Sequence, residues 1–275
     1  MPAPVLSVLI PAYNYAAGVE RILARRRQTS GRVEYIVHDD STDDGVAMAV
    51  AAHRAPAVLY RRNAGPGHAV ANWNGLLERA QGEFIVLVHH DEFPARAGLF
   101  EDLADELDRA PSPQADIYLL GLRRLRRNWP MTDKLIPDTL RFWLLRHCPA
   151  YLMRRNFVGP SATFVLRRAL CPRFDESLRW LVDVDFYLNS LSRSGAVKGL
   201  GQFGMVSETD RRQSITQSLG ADIADLRQRE LAVIAARQAS RLAARGRSLP
   251  ALVERALWLC ARLAGALCLG GRHGG

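Results

Sequence analysis

The sequence predicts an α/β protein with a mostly parallel central sheet flanked by helices, and three observations carry that prediction. Short Val/Ile/Leu-rich runs alternate with helix-spaced segments of ten to fourteen residues along the first hundred positions, the signature of βαβ units. The first of these runs, VLSVLI, is apolar enough to be a buried strand. Polar clusters follow the carboxyl ends of successive runs (Ala12-Tyr13-Asn14, Asp39-Asp40, Arg62-Asn63 and His89 to Glu92), where open α/β sheets collect their ligands.

Taken in order, VLSVLI is closed by Pro11, and AAGVERILARRRQ places Val19, Ile22 and Leu23 at helical spacing. VEYIVHDDS reads as a second strand ending in acidic and turn residues, and DDGVAMAVAAHR as a helix. AVLYRRN is a third strand, HAVANWNGLLERAQ a helix stopped by Gly82, and EFIVLVHHDE a fourth strand. AGLFEDLADELDRA is an amphipathic helix and DIYLLGL a strand. The basic, Trp-containing segment 123–155 shows no clean period, SATFVLRR reads as a strand and VDVDFYLNSLSRSG as a helix. Residues 222–245 form a helix with Ile223, Leu226, Leu231 and Ile234 on its apolar stripe, broken by Gly246. Leu249 to Leu269 forms another, with Arg255 and Arg262 on one side.

At 275 residues and 48% apolar content, the chain suits one large domain with a sizeable core. It contains no run of eighteen uncharged apolar residues, so no bilayer span is expected. Its start, MPAPVLSVLIPAYN, lacks a basic leader and reads as a strand, not a signal peptide. The four cysteines show no CxxC pair or disulfide-like spacing, which implies reduced thiols and a cytoplasmic setting. The formal charge is +9, concentrated between Arg123 and Arg155, where nine basic residues face two acidic ones. A solvated surface and a patch for phosphates or anionic lipid headgroups both fit that run. Nucleic acid fits less well, because the run matches no binding motif.

Three segments, LSVLIPAYN, EYIVHDDSTDDG and RNAGPGHAVANWNGLLERAQGEFIVLVHHDE, together resemble the nucleotide-sugar half of family-2 glycosyltransferases of the GT-A fold. FVGPSATFVLRR and FDESLRWLVDVDFYL resemble that family's acceptor half, so the likeness covers residues 5–216. It implies a GT-A (Rossmann-like) catalytic domain over 1–216, with a nucleotide-sugar half (1–110) and an acceptor half (111–216), followed by a C-terminal helical extension (217–275). The implied reaction transfers a sugar, with inversion, from a nucleoside diphosphate donor (UDP or dTDP) to a hydroxyl of a glycan or lipid-linked acceptor. Synthesis of bacterial cell-surface polysaccharide or glycolipid is the implied setting. The leaving diphosphate gathers negative charge, which a divalent cation offsets, and the acceptor hydroxyl needs a carboxylate base.

The resemblance also implies site residues. The family's usual Asp-x-Asp-Asp is His89-His90-Asp91-Glu92 here, placing Asp91 at the metal and Glu92 as a further candidate. A hard oxygen ligand beside a diphosphate suits Mg²⁺ or Mn²⁺. If the strand persists through this stretch, His89 and His90 point to opposite faces and make poor joint zinc ligands. Pro11, Ala12, Tyr13, Asn14, Asp39, Asp40, Asn63, His68, Asn72, His89 and His90 are the candidates for holding the nucleotide-sugar. The loop after Asp39-Asp40 lacks the family's usual glycine, which leaves open which of the two contacts the base. Asp183 matches the family's catalytic base, with Asp185 in reserve; two residues apart on a helix, both cannot face one cleft. Gly159, Pro160, Ser161, Trp180, Arg211 and Arg212 are candidates for the acceptor and diphosphate, with Glu208 and Asp210 as further metal candidates.

The C-terminal helices are read as an in-plane anchor at an anionic inner membrane face, as packing against the domain, or as a homodimer contact. A GT-A-like scaffold that has lost its chemistry, as His89 hints, is the alternative function.

Overall fold

The structure is a computed structural model that describes residues 3–27, 31–53, 57–63, 68–109, 115–126, 129–130, 136–208 and 223–243. Segment 209–222, with Asp210, Arg211 and Arg212, and the anticipated helix Leu249 to Leu269 lie outside the described residues.

Four strands make the parallel half of the sheet: β1 (Leu6–Ala12), β2 (Val33–Asp39), β3 (Val58–Arg62) and β4 (Phe84–Leu87). Helices α1 (Ala16–Leu23), α2 (Gly45–Ala52) and α3 (Ala69–Arg79) connect them. After β4 come β5 (Glu92–Pro94), α4 (Leu99–Arg109), β6 (Ile117–Arg126), β7 (Trp129–Pro130), α5 (Asp138–His147), β8 (Phe164–Arg167), α6 (Val182–Arg193), β9 (Val197–Glu208) and α7 (Ile223–Ala243). The sheet runs β3-β2-β1-β4-β8-β6-β9-β5, with β7 paired to β6 at the side. β8 is antiparallel to both neighbours, and β9 is parallel to β6 but antiparallel to β5.

Every residue of β1, β2 and β4 is buried, as expected of strands covered on both faces. Alternation still sorts their side chains. Leu6, Val8 and Ile10 join Val33, Tyr35, Val37, Phe84 and Val86 in a core beneath α1, α2 and α4. Leu9, Ile36, Ile85 and Leu87 enter a second core with Trp73 and Leu76 of α3, Leu144 and Leu145 of α5 and Val184 and Leu188 of α6. Helix α4 buries Leu99, Phe100, Leu103 and Leu107. Its outer Asp102 and Asp105 pair with Arg27 and Arg32.

Two expectations change in the structure. The fourth strand stops at Leu87, short of Glu92. Val88 still donates to Leu9, but the Glu92 N–H then closes a turn onto the His89 carbonyl at 2.9 Å. The basic segment is not all surface: Arg141 of α5 is 2% exposed. Its guanidinium donates to the carbonyls of Phe157, Leu120 and Val158, to Thr163 and to Asp138. Burial of a cation is tolerable here because its donors are filled by acceptors.

Helix α7 docks on the second core through a mixed stripe. Ile234 is fully buried, and the polar Glu230 and Gln238 lie beside it at 4% and 1% exposure. No described helix is long and apolar enough to cross a membrane.

Candidate functional site

The parallel register sets Ala12 beside Asp39 and Asp39 beside Arg62, in one row at the carboxyl edge of the sheet. Backbone bonds extend that row: Asp40 N–H to Ala12 (3.0 Å) and Asn63 N–H to Asp39 (2.9 Å). Pro11 and Ala12 are buried, whereas Tyr13 is 45% exposed at the rim. Asn14 adopts φ +47°, a left-handed conformation that Asn tolerates better than most residues. Its N–H donates to Ser41 Oγ at 2.8 Å and its Oδ1 accepts from the Thr42 N–H at 2.9 Å, tying the first strand end to the second.

Both acidic residues at the end of β2 are buried and fully engaged. Asp39 accepts from the Ser41 N–H and the Tyr60 hydroxyl, each at 2.8 Å. Burial, with the Asp39 bond adding to it, pushes the Tyr60 hydroxyl up to about 12. Asp40 accepts from Asn63 Nδ2 (2.6 Å) and Asn72 Nδ2 (2.8 Å). Arg62 is held by Asp44 and by the carbonyls of Ser41 and Asp43. His68 lies exposed just ahead of α3 and makes no side-chain bond to the helix N-terminus.

Residues 89–92 form the turn beside this row. His89 meets Trp73 edge-on at 4.9 Å, and burial drives its imidazole down to about 3, so it is neutral. His90 meets Tyr15 edge-on at 5.5 Å, and burial lowers its basicity too. The two imidazoles pack on different partners, as the alternation argument anticipated, although a turn rather than a continuing strand separates them. Gly18 of α1 makes this packing feasible: a Cβ there would lie 2.0 Å from the His90 carbonyl oxygen and 2.3 Å from the Tyr15 ring. Its spacing within α1 had not marked it.

Asp91 is half-buried; burial raises its carboxyl above the usual range, His90 opposes the rise and Glu208 adds to it. Glu208 is brought there by tertiary pairing, since its N–H donates to the Asp91 carbonyl at 3.1 Å at the end of β9. Its carboxylate pairs with Arg21 at 2.7 Å. Glu92, 4% exposed, turns inward and accepts from the His89 N–H at 3.1 Å and from the Ala162 backbone. Burial holds its carboxyl well above the ordinary range, and the charges of Asp91 and then Asp183 reinforce that.

Glu92 therefore links the two halves of the cleft. Asp183, at the start of α6, lies close enough to act on it electrostatically. Asp183 Oδ1 is buried without a hydrogen-bond partner among the described residues, and burial pushes its carboxyl up to about 6. Asp185 faces α7 with one oxygen: its Oδ2 accepts from Asn189 (2.8 Å), which in turn accepts from Gln238 of α7 (2.7 Å). Its Oδ1, like that of Asp183, is buried without a partner among the described residues.

Gly159 adopts φ +88°, and its carbonyl accepts from the Tyr187 hydroxyl at 3.2 Å. The Tyr187 hydroxyl is raised chiefly by burial and then by Asp183 and Glu92. Pro160 leads into a 3-10 turn at Ser161–Thr163, and Ser161 Oγ is buried without a partner among the described residues. Trp180 is half-buried against the second core. Just before α6, the Glu230 carboxylate of α7 accepts from the backbone N–H groups of Arg179 (2.6 Å), Trp180 (3.0 Å) and Leu181 (2.7 Å). Glu230 escaped the sequence reading, although a carboxylate between Leu226 and Ile234 on an apolar stripe was a visible signal.

Among the described residues no group of three or more His, Cys, Asp and Glu side chains is arranged to hold a metal. The Asp91 carboxylate nevertheless suits a hard cation held largely by a ligand's phosphates, which needs only one or two protein carboxylates.

A family model described as "Glycosyl transferase family 2" matches residues 7–166. A Mycobacterium tuberculosis relative, uncharacterized protein MT1568, is 30% identical over 203 residues, covering 70% of this chain and 63% of the relative. Among solved structures, Staphylococcus aureus TarS 1-349 superposes with a TM-score of 0.58 at 19% identity, covering 83% of this chain and 64% of that one. Glucosyl-3-phosphoglycerate synthase from M. tuberculosis, crystallised with Mn²⁺, UDP and glucosyl-3-phosphoglycerate, gives a TM-score of 0.54 at 18% identity. There the match covers 85% of this chain and 80% of that one. The chain thus spans less than two thirds of the length of the curated relative and of the TarS fragment.

Proposed function

The chain belongs to glycosyl transferase family 2, and on that premise we propose that it moves a sugar from a nucleoside diphosphate sugar to an acceptor hydroxyl, with Asp183 as the base. The observation that carries the assignment is the unpartnered, buried Oδ1 of Asp183, with its carboxyl pushed up to about 6, beside the Asp91-Glu92 turn. A base poised near neutral pH is ionised under working conditions yet still basic enough to accept a proton. Asp183 takes the proton of the acceptor hydroxyl, and that oxygen forms the new bond to the anomeric carbon. The bond from that carbon to the diphosphate breaks, and the diphosphate departs with its electron pair. Attack from the face opposite the leaving group inverts the carbon.

Pro11 to Asn14, Asp39, Asp40, Asn63 and Asn72 form the wall for the nucleotide, with UDP or dTDP as the donor's nucleotide. Asp91 would hold Mg²⁺ or Mn²⁺, which supplies positive charge to the leaving diphosphate when bound. Residues 1–216 form the catalytic unit in this reading. The acceptor is a glycan or lipid-linked hydroxyl compound of the bacterial surface, met at the inner membrane face. The wild-type carbonyl and imidazole contacts at His89 and His90 keep the metal turn in place.

A thermal-shift screen of UDP, dTDP and GDP with and without Mn²⁺ tests the donor side. One nucleotide is expected to raise Tm in a Mn²⁺-dependent way, with the metal dependence lost in Asp91→Ala. Absence of any nucleotide shift would leave a non-catalytic scaffold as the better reading.

A further inference from the structure

A cavity of about 130 Å³ opens between β6, α5 and the chain before Gly159. Leu122, Ile136 and Phe157 line it with apolar surface, and Arg124, Arg141 and Arg155 bring three guanidinium groups to it. Among the described residues, no acidic side chain lines it. Arg141 is fully committed to carbonyl, hydroxyl and carboxylate acceptors, so it contributes charge and shape only. Arg124 differs: its Nε is buried without a hydrogen-bond partner among the described residues. Burial, then Arg141 and Arg155, lower the Arg124 pKa, while Glu92 acts in the opposite sense. A buried, unfilled guanidinium donor among like charges is costly unless an anion completes it.

The cavity's position relative to the reaction follows from the same contacts. The Arg124 guanidinium lies 3.6 Å from where a Cβ on Gly159 would stand, and the Gly159 carbonyl accepts from Tyr187. Tyr187 and Glu92 both feel Asp183. Arg124 therefore stands on the acceptor side of the cleft, across Gly159 and Glu92 from the base.

We propose that this cavity is an anion subsite in which Arg124 binds a phosphate-like group of the acceptor while the acceptor's hydroxyl reaches Asp183. The proposal rests on the glycosyltransferase reading for the word acceptor, but anion binding at Arg124 is testable without it. A lipid-linked phosphate and a soluble phosphorylated compound present the same chemistry to a guanidinium.

The full chain, saturated with UDP and Mn²⁺ to occupy the donor side, is titrated with inorganic phosphate by calorimetry, alongside Arg124→Gln and Arg124→Lys. Phosphate affinity is expected to fall about tenfold in Arg124→Gln, the loss of one charge-assisted hydrogen-bonding group, and to recover partly in Arg124→Lys. The UDP thermal shift reports folding of each variant and separately reports the donor reading. If UDP gives no shift, the titration is run without it, and a loss confined to Arg124→Gln still supports the subsite. A phosphate affinity equal in wild type and Arg124→Gln, or no phosphate binding at all, overturns the proposal. Flotation with phosphatidylglycerol vesicles separates the sources: binding that depends on Arg124 points to a lipid headgroup. Phosphate binding without vesicle binding points to a soluble acceptor.

Discussion

The two halves of the cleft treat their carboxylates differently. On the nucleotide side, each oxygen of Asp39 and Asp40 has a protein donor: Ser41 and Tyr60 for one residue, Asn63 and Asn72 for the other. On the acceptor side, Asp183 keeps a buried oxygen with no partner among the described residues, and Ser161 Oγ and Arg124 Nε are in the same condition. A filled network holds a shape, because each missing partner would leave a costly buried group. An unfilled one stores the cost until a ligand removes it. The difference teaches that the carboxylates at the end of β2 are pre-organised by their own side-chain donors, although Asn72 Oδ1 and His38 Nε2 nearby are buried without partners among the described residues. The carboxylate of Asp183, by contrast, is left open to what the proposed acceptor side would bind.

Replacing the proposed base, Asp183, breaks the contrast most severely. Asp183→Asn is expected to lower kcat by about 10²- to 10⁴-fold, the usual worth of a positioned general base, measured as release of the nucleoside diphosphate. The same change should stabilise the fold at neutral pH. Burial raises the folded-state carboxyl from 3.8 to about 6. For a raised acid, stability is fully present below 3.8 and is lost as pH rises through about 6. Discounted for partial exposure, the gain for the Asn variant at pH 7.5 is about 1–2 kcal/mol. Urea melts at pH 4 and 7.5 check the sign: the variant's advantage should shrink at the lower pH. The acid limb of the wild-type rate profile should fall near pH 6.

Glu230→Ala tests whether the acceptor wall depends on the C-terminal helix. Three backbone donors ahead of α6 lose their shared acceptor, at a cost of about 2–3 kcal/mol. Urea denaturation reads the loss, and KM for the acceptor is expected to rise while the UDP thermal shift persists. An equal loss of UDP binding would mean that the two walls are not separate units.

Tyr60→Phe is the mildest probe and addresses the other wall. It removes one donor from Asp39 and should cost about 1 kcal/mol in stability. Calorimetry should show a weaker UDP affinity with no change in phosphate binding at Arg124.

Much of the nucleotide side was legible in the sequence for a physical reason. Its residues follow consecutive parallel strands, and parallel strands deliver their carboxyl ends to one edge whatever the details of the loops. Asp39, Asp40 and Asn63 therefore could be grouped from the order of apolar runs alone. The early end of β4 was not legible, because VLVHH offers no Gly or Pro to mark the turn that Glu92 closes through backbone bonds. Nor was the burial of Arg141, whose acceptors are mostly carbonyls from segments distant in the chain.

What the sequence by itself determined was the alternation of buried strands and helices, the edge where polar residues gather, and the incompatibility of Asp183 and Asp185 with one shared cleft. Those follow from periodicities of 2 and 3.6, which are local properties of the chain. Only the tertiary structure decided that β9 returns Glu208 to Asp91, that Glu92 turns inward between Asp91 and Asp183, and that Glu230 of α7 holds the entry to α6. Those relations join residues dozens to more than a hundred positions apart, where strand pairing and the filling of buried hydrogen-bonding groups, not local pattern, select the partner.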